Sequence, residues 1–369
     1  MRVLITADTV GGIWTYAHEL VAGLLRRGVE VILVSFGHIP EPRQIVWMDS
    51  LRNLDFRPTA FRLEWMQDSA EDIEASSEYL LNVIRETSPD VLHLNQFCYG
   101  ALDVDIPKIV VAHSDVVSWW VAVHGKEPPR TDWIDWYRST VQCGLDCATT
   151  VIAPSRWMLS QIETYYGPRP RCGVIYNGRS PQWFNAHTDK DDLVLTVGRL
   201  WDSAKQVSLL TQYDCGWPVV IAGETQHPDE AYRGEDSRMV CEGTLELKGK
   251  LNAEQLQSLF ARAAVYAATS RYEPFGLALV EAALSRCAIV ANDIASFREL
   301  WGETACYFDA NDPASLRDTI AELRHNKVLR RQHAELAFQR ARRRYTAERM
   351  VDEYLAIYAG CTAERLMAA

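Results

Sequence analysis

Ser270-Arg-Tyr-Glu-Pro-Phe-Gly-Leu-Ala-Leu-Val-Glu281 is the stretch on which the fold turns. The apolar run 265–268 before it reads as a strand, Glu273 and Pro274 fall in a loop, and Gly276 opens an apolar helix over 277–286. Proline near a helix start costs little, because its missing N–H had no partner there. The N–H groups around Gly276 and Leu277, with the helix dipole behind them, suit an anion such as a diphosphate. Glycine lets that anion come close to the backbone. Glu273 then projects from the loop toward whatever the phosphate carries, and Glu281 can accept hydrogen bonds from hydroxyls such as those of a ribose. Without a ligand, the same two carboxylates read as a helix cap and a solvated side chain.

Outward from this stretch the strand–loop–helix grammar repeats. Residues 2–7 form an apolar run, a Gly11-Gly12 turn follows, and Ile13, Tyr16, Ala17, Leu20, Val21 and Leu24 recur at helical spacing. Gly28 stops that helix, and 29–36 is a second, β-branched run. Strand, glycine turn, helix, strand is the pattern of a parallel sheet. It continues with a helix at 69–87, strands at 91–94, 109–112 and 149–153, a helix at 156–166 and a strand at 174–175. Asn177-Gly178, Pro181 and the polar run 187–192 then make a turn-rich linker. After it the pattern restarts, with strands at 193–197, 219–222, 265–268 and 288–291 and helices at 253–262, 277–286 and 312–325. The reading is α/β, two halves joined near residue 185, each with its own parallel sheet. The domains expected are 1–180 and 181–345. The basic helical tail 327–359 is compatible with closing the second domain or crossing back, and about 346–369 is the segment free to pack on the first.

Composition narrows the function. Hydrophobic residues make up 48% and charged residues 24% of the 369, a profile that excludes global disorder. The formal net charge of −11 argues against a general nucleic-acid binder. No apolar run approaches the ~20 residues that span a bilayer, and Asp8 falls where a secretion signal would stay apolar. The nine cysteines (98, 143, 147, 172, 215, 241, 287, 306 and 361) form no C-x-x-C pair, so reduced, buried thiols in a cytoplasmic protein are expected.

A second element supports the anion reading. Leu195-Thr-Val-Gly-Arg199 ends a strand in glycine and arginine, and Lys205 follows six residues later. An arginine binds a pyrophosphate bidentately and a lysine as a point charge. Alone, the two are ordinary surface cations; at the carboxyl end of a strand they sit where open α/β sheets bind ligands.

The order VGRL, Lys205, GKL (Gly249 to Leu251) and TSRYEPFGLALVEA with its glutamates eight apart resembles the retaining glycosyltransferases of the GT-B fold. More narrowly it resembles the group-one family, glycosyltransferase family four. The likeness covers nearly the whole chain, since the Gly11-Gly12 start and the VIYNG segment (174–178) also fall in the family's order. It implies two Rossmann-like domains with parallel sheets facing a central cleft, the first for the acceptor and the second for a nucleotide-sugar donor. By position, Arg199 and Lys205 match the pair on the donor diphosphate, and Gly276 and Leu277 the backbone donors to phosphate. Glu281 matches the glutamate on the ribose hydroxyls and Glu273 the one beside the donor sugar. Gly11 and Gly12 match the glycine loop facing the donor, and His113 the histidine near the sugar's C6 hydroxyl. The implied activity is hexosyl transfer with retention from a nucleotide-diphosphate sugar, UDP favoured, to a hydroxyl of a soluble saccharide or small molecule. No metal and no cofactor are implied.

Other features are weaker. Asp103-Val-Asp105 spells the D-x-D metal signature of a different glycosyltransferase fold, but it reads here as surface acid. The Gly11-Gly12 loop lacks G-x-G-x-x-G, which disfavours NAD. His93 reads as a core or supporting residue. The arginines 330, 331, 340 and 342–344 read as a solvated helix face. The acidic helix at 69–87 is the wrong charge for an anionic membrane surface. Trp119, Trp120, Trp133 and Trp136 are core by default, with stacking on a carbohydrate as the functional alternative. Rival readings are a sugar-nucleotide epimerase or phosphorolytic enzyme of the same fold, and an inactive sugar-nucleotide-binding protein.

Overall fold

From Val3 to Asp8 every residue of β1 (Arg2–Asp8) is buried, as an apolar run in the middle of a parallel sheet must be. The computed structural model describes residues 1–9, 11–224 and 245–368; Cys241 lies outside them. After β1 come α1 (Gly12–Arg26), β2 (Glu30–Phe36), the single turn α2 (Pro42–Ile45), β3 (Leu54–Pro58), α3 (Ala70–Thr87), β4 (Val91–Leu94) and β5 (Lys108–Val111). Then follow α4 (Val116–His124), α5 (Asp132–Asp146), β6 (Thr150–Ala153), α6 (Arg156–Tyr166) and β7 (Cys172–Val174). These strands form one all-parallel sheet in the order β3-β2-β1-β4-β5-β6-β7.

The second set opens with β8 (Asp191–Val197), β9 (Val219–Ala222), β10 (Leu245–Gly249), α7 (Ala253–Arg262), β11 (Ala263–Ala268), α8 (Leu277–Leu284) and β12 (Ala288–Asn292). It closes with α9 (Ala295–Trp301), β13 (Cys306–Phe308), α10 (Pro313–His325), α11 (Lys327–Arg344) and α12 (Ala347–Ala368). Its sheet is also all parallel, in the order β10-β9-β8-β11-β12-β13. The helix expected over 277–286 stops at Leu284 because Arg286 takes a left-handed φ of 58°.

The chain divides into two units. One comprises Met1–Val121, Lys126–Asn177 and Ala347–Ala369; the other comprises Ala122–Gly125 and Gly178–Thr346. Each has its own apolar core, around Leu92, Val110 and Val151 in the first and around Val194, Val265 and Val290 in the second. The tail is therefore split: α11 stays with the second unit and α12 returns to the first. Gly23 of α1 makes that return possible. A Cβ there would stand 2.4 Å from Val351 Cγ2, so only glycine lets the two helices meet at this spacing. No helix among the described residues is long and apolar enough to cross a membrane.

Candidate functional site

In the second sheet the strand order reverses between β8 and β11, and sheets of this kind bind ligands outside the carboxyl ends of their strands at such a point. β8 runs out into Arg199 and then a 3₁₀ turn, Ser203–Lys205, capped by the buried Asp202, which accepts from Ala204 N–H at 3.0 Å. The loop after β11 carries Glu273. Two bonds tie the turn to that loop: Thr269 Oγ1 donates to the Lys205 carbonyl (2.6 Å), and Arg271 N–H donates to the Ala204 carbonyl (2.8 Å). The result is that Lys205 Nζ stands 2.5 Å from Glu273 Oε2, with both side chains less than one-fifth exposed. An ammonium has three N–H donors, so Lys205 can hold Glu273 and a phosphate oxygen together. Arg199 is held differently, donating from Nη2 to Asp202 Oδ2 at 2.8 Å, with its guanidinium over the Trp201 ring.

Gly276 caps α8 at φ 83°, a left-handed backbone that favours glycine. A Cβ there would meet Leu279 Cδ1 at 2.6 Å and Glu273 Cγ at 3.1 Å, so the same glycine also makes room for the Glu273 side chain. Leu277 begins the helix, where the first-turn N–H groups lack intrahelical partners. Glu281 is not the solvated carboxylate of the ligand-free reading. Its Oε1 lies 2.8 Å from Arg179 Nε, in a pair whose side chains are 14% and 10% exposed. Arg179 was not singled out in the sequence. It packs over Phe184, and its backbone N–H donates to the Tyr345 carbonyl at 2.9 Å.

The first unit gathers its own group at the equivalent reversal, between β1 and β4. Gly11 caps α1 at φ 89°, and Gly12 is that helix's first residue rather than part of a turn. Beyond β4, Asn95 Oδ1 lies 2.8 Å from Nε2 of His113, which follows β5. Tyr16 packs edge-on to the His113 ring at 4.6 Å. His93 of β4 is fully buried between the hydroxyls of Tyr16 (3.0 Å to Nε2) and Tyr358 of α12 (2.7 Å to Nδ1). Burial pushes both imidazoles down to about 3, and His93 is lowered further by His113, so both rings are neutral at physiological pH. Glu64, whose carboxyl burial raises above the usual range, accepts from the Phe97 and Cys98 N–H groups and anchors the segment beyond Asn95.

The weaker candidates fall into place. Asp103 and Asp105 are exposed, and Asp105 lies 3.7 Å from Arg365. Trp133 donates to the Met66 carbonyl and stacks on Tyr137, and Trp136 packs against the first core; Trp119 and Trp120 are half-buried on α4. The arginine face of α11 is a partial correction. Arg331, Arg342 and Arg343 are solvated, but Arg330 is buried under Trp217 and donates to the Leu323 carbonyl. Arg340 donates to the Leu300 and Glu299 carbonyls at the end of α9, where helix carbonyls lack partners. The expectation of buried thiols also needs correcting. Cys143 on α5, Cys147 just after it and Cys172 on edge strand β7 are exposed, whereas Cys98, Cys215, Cys287 and Cys361 are buried.

Comparison with known proteins agrees with this fold. Residues 10–183 match the model of Glycosyltransferase Family 4, and residues 191–326 that of Glycosyl transferases group 1. The O-antigen chain mannosyltransferase C of Escherichia coli is 23% identical over 378 residues, covering 95% of each chain. Among solved structures, the sucrose-phosphate synthase of Thermosynechococcus elongatus superposes with a TM-score of 0.80 at 16% identity, over 99% of this chain and 100% of that one. Anabaena HepE in complex with UDP and glucose superposes at 0.73 and 15% identity, over 98% of this chain and all of its own. The chain belongs to the group-one, family-four glycosyltransferases, with the two Rossmann-like domains of the GT-B fold.

Proposed function

We propose that this glycosyltransferase moves a hexosyl group from a nucleoside-diphosphate sugar to a hydroxyl of a saccharide or small molecule, keeping the anomeric configuration and using no metal. The observation that carries the reading is the Lys205–Glu273 pair beside the N-terminus of α8: a cation, backbone donors and a carboxylate at one strand-order reversal. As the glycosidic bond breaks, negative charge gathers on the leaving diphosphate. Lys205, Arg199 and the N–H groups at Gly276 and Leu277 stabilise that charge from fixed positions, the task a metal performs elsewhere. The sugar becomes oxocarbenium-like, and Glu273 offsets its positive charge. Glu281 takes the ribose hydroxyls, His113 the sugar's C6 hydroxyl, and the Gly11-Gly12 loop gives the donor close backbone approach. The leaving phosphate serves as base for attack on the same face, which preserves configuration. UDP is the first base to test, since HepE has been solved with UDP and with UDP-glucose. GDP is the second, because GDP-mannose is named for the α-mannosyltransferase of Xanthomonas oryzae, 26% identical over 164 residues.

Two measurements test the diphosphate assignment. If Lys205, Arg199 and the helix start bind a diphosphate, the cognate nucleoside diphosphate stabilises the fold far more than the monophosphate. At ~100 times its dissociation constant a ligand adds about 2.7 kcal/mol, a shift of several degrees in Tm. Equal shifts for UDP and UMP, and for GDP and GMP, remove the argument. Turnover in EDTA is expected to equal that without it, and Asp103→Ala and Asp105→Ala to be near neutral. Loss of turnover in EDTA with rescue by Mn²⁺ or Mg²⁺ contradicts the metal-free assignment.

A further inference from the structure

Asn95 carries no role in the proposed mechanism, yet both ends of its amide are committed. Its backbone N–H donates to Thr6 Oγ1 at 2.9 Å, and its side-chain nitrogen donates to the Thr6 carbonyl at 2.5 Å. A carbonyl only accepts, so the nitrogen end faces Thr6 and the oxygen end faces His113. Oδ1 lies 2.8 Å from His113 Nε2. An amide oxygen also only accepts, so the hydrogen-bond network places the proton on Nε2. A neutral imidazole has one N–H, which leaves Nδ1 as the bare acceptor. Asn95 is itself buried and fixed by β1 through Thr6, and the edge-on Tyr16 ring holds the imidazole plane.

We propose that Asn95 is a positioning residue that locks His113 in its Nε2–H tautomer, so that Nδ1 is presented as a hydrogen-bond acceptor to a hydroxyl of the donor sugar. The second half of this statement rests on the reading of His113 given above; the first half does not. A fixed neutral acceptor suits the reaction. An imidazolium would repel an oxocarbenium-like sugar, and the opposite tautomer would meet the hydroxyl as a donor instead of an acceptor. Burial keeps the ring uncharged, lowering His113 to about 3, and the neighbouring His93 and the Tyr16, Tyr354 and Tyr358 phenols, which burial raises far above physiological pH, put no charge beside it.

Long-range ¹H–¹⁵N spectra of the full chain carrying ¹⁵N-histidine read the tautomer directly, with the His113 signals identified by their loss in His113→Ala. The expected pattern at neutral pH is a protonated Nε2 and an unprotonated Nδ1. Asn95→Leu is expected to scramble or reverse it. A native Nδ1–H form, or an unchanged pattern in Asn95→Leu, overturns the proposal, and the native spectrum alone decides if Asn95→Leu does not fold. In kinetics, one lost hydrogen bond corresponds to about a tenfold drop in kcat/KM for the donor in Asn95→Leu. Asn95→Leu adds nothing to the loss in His113→Ala. Normal donor kinetics in His113→Ala, with the spectra as expected, removes the sugar contact and leaves the tautomer lock standing.

Discussion

Glu273→Gln lowers kcat by about 10²-fold without raising the donor KM. The amide keeps the size of the carboxylate but removes the charge that offsets the sugar's developing positive charge, which exists only as the bond breaks. The structure adds a condition that distinguishes this from simple loss of binding. In the free protein Glu273 is paired with Lys205 at 2.5 Å. Removing its charge releases Lys205 for the diphosphate, so KM stays level or falls while kcat collapses. Lys205→Ala damages both constants, because the diphosphate is bound before the reaction and gains charge during it. Steady-state kinetics of the two purified variants, with folding checked by melting temperature, makes the comparison. A Glu273→Gln enzyme with normal kcat and a raised KM contradicts the role given to this carboxylate.

Arg179→Leu is expected to weaken both the fold and the donor complex. It leaves the Glu281 carboxylate, 14% exposed, without the guanidinium 2.8 Å away. Removing one member of a buried pair costs about 3–5 kcal/mol; the residual exposure here places the loss at about 3 kcal/mol, enough to lower Tm by several degrees. The carboxylate also loses its orientation for the ribose, so the donor KM rises. That contact is equally good before and during the reaction, so kcat changes little. The double variant Arg179→Leu/Glu281→Leu separates the two effects: stability returns in part, because no charge is left buried alone, whereas donor binding does not. Thermal unfolding and KM of the single and double variants give the answer. An Arg179→Leu protein that melts and binds like the parent shows that the pair does neither job.

The elements legible in the sequence are those whose signal is local. β4, β9, α6 and α7 fall where apolar runs and helical spacing place them, because each buries one continuous segment. β3, β10 and β13 do not announce themselves. They are short edge strands; Leu-Glu-Leu-Lys-Gly in β10 is mostly exposed and has no apolar run to read. The same distinction holds in the site. Glu273 and Gly276 share one loop and helix start, so their proximity follows from spacing alone. Asn95 meets His113 only through the sheet order, and Arg179 meets Glu281 only through the packing of its segment, whose backbone bonds Tyr345; no periodicity links such partners along the chain. Arg330 and Arg340 look solvated in the sequence because their partners are backbone carbonyls, which side-chain patterns cannot reveal.

The configuration of the product tests the central claim most directly. The protein is incubated with UDP-glucose, GDP-mannose and further nucleoside-diphosphate sugars, each with and without a panel of saccharide and small-molecule hydroxyl acceptors. Nucleotide release and the anomeric coupling of the product are then followed by NMR, with Glu273→Gln as the control. The expected result is acceptor-dependent release of the nucleoside diphosphate and a product with the donor's anomeric configuration. An inverted product, a donor converted without acceptor, or no release above the control from any donor would contradict it.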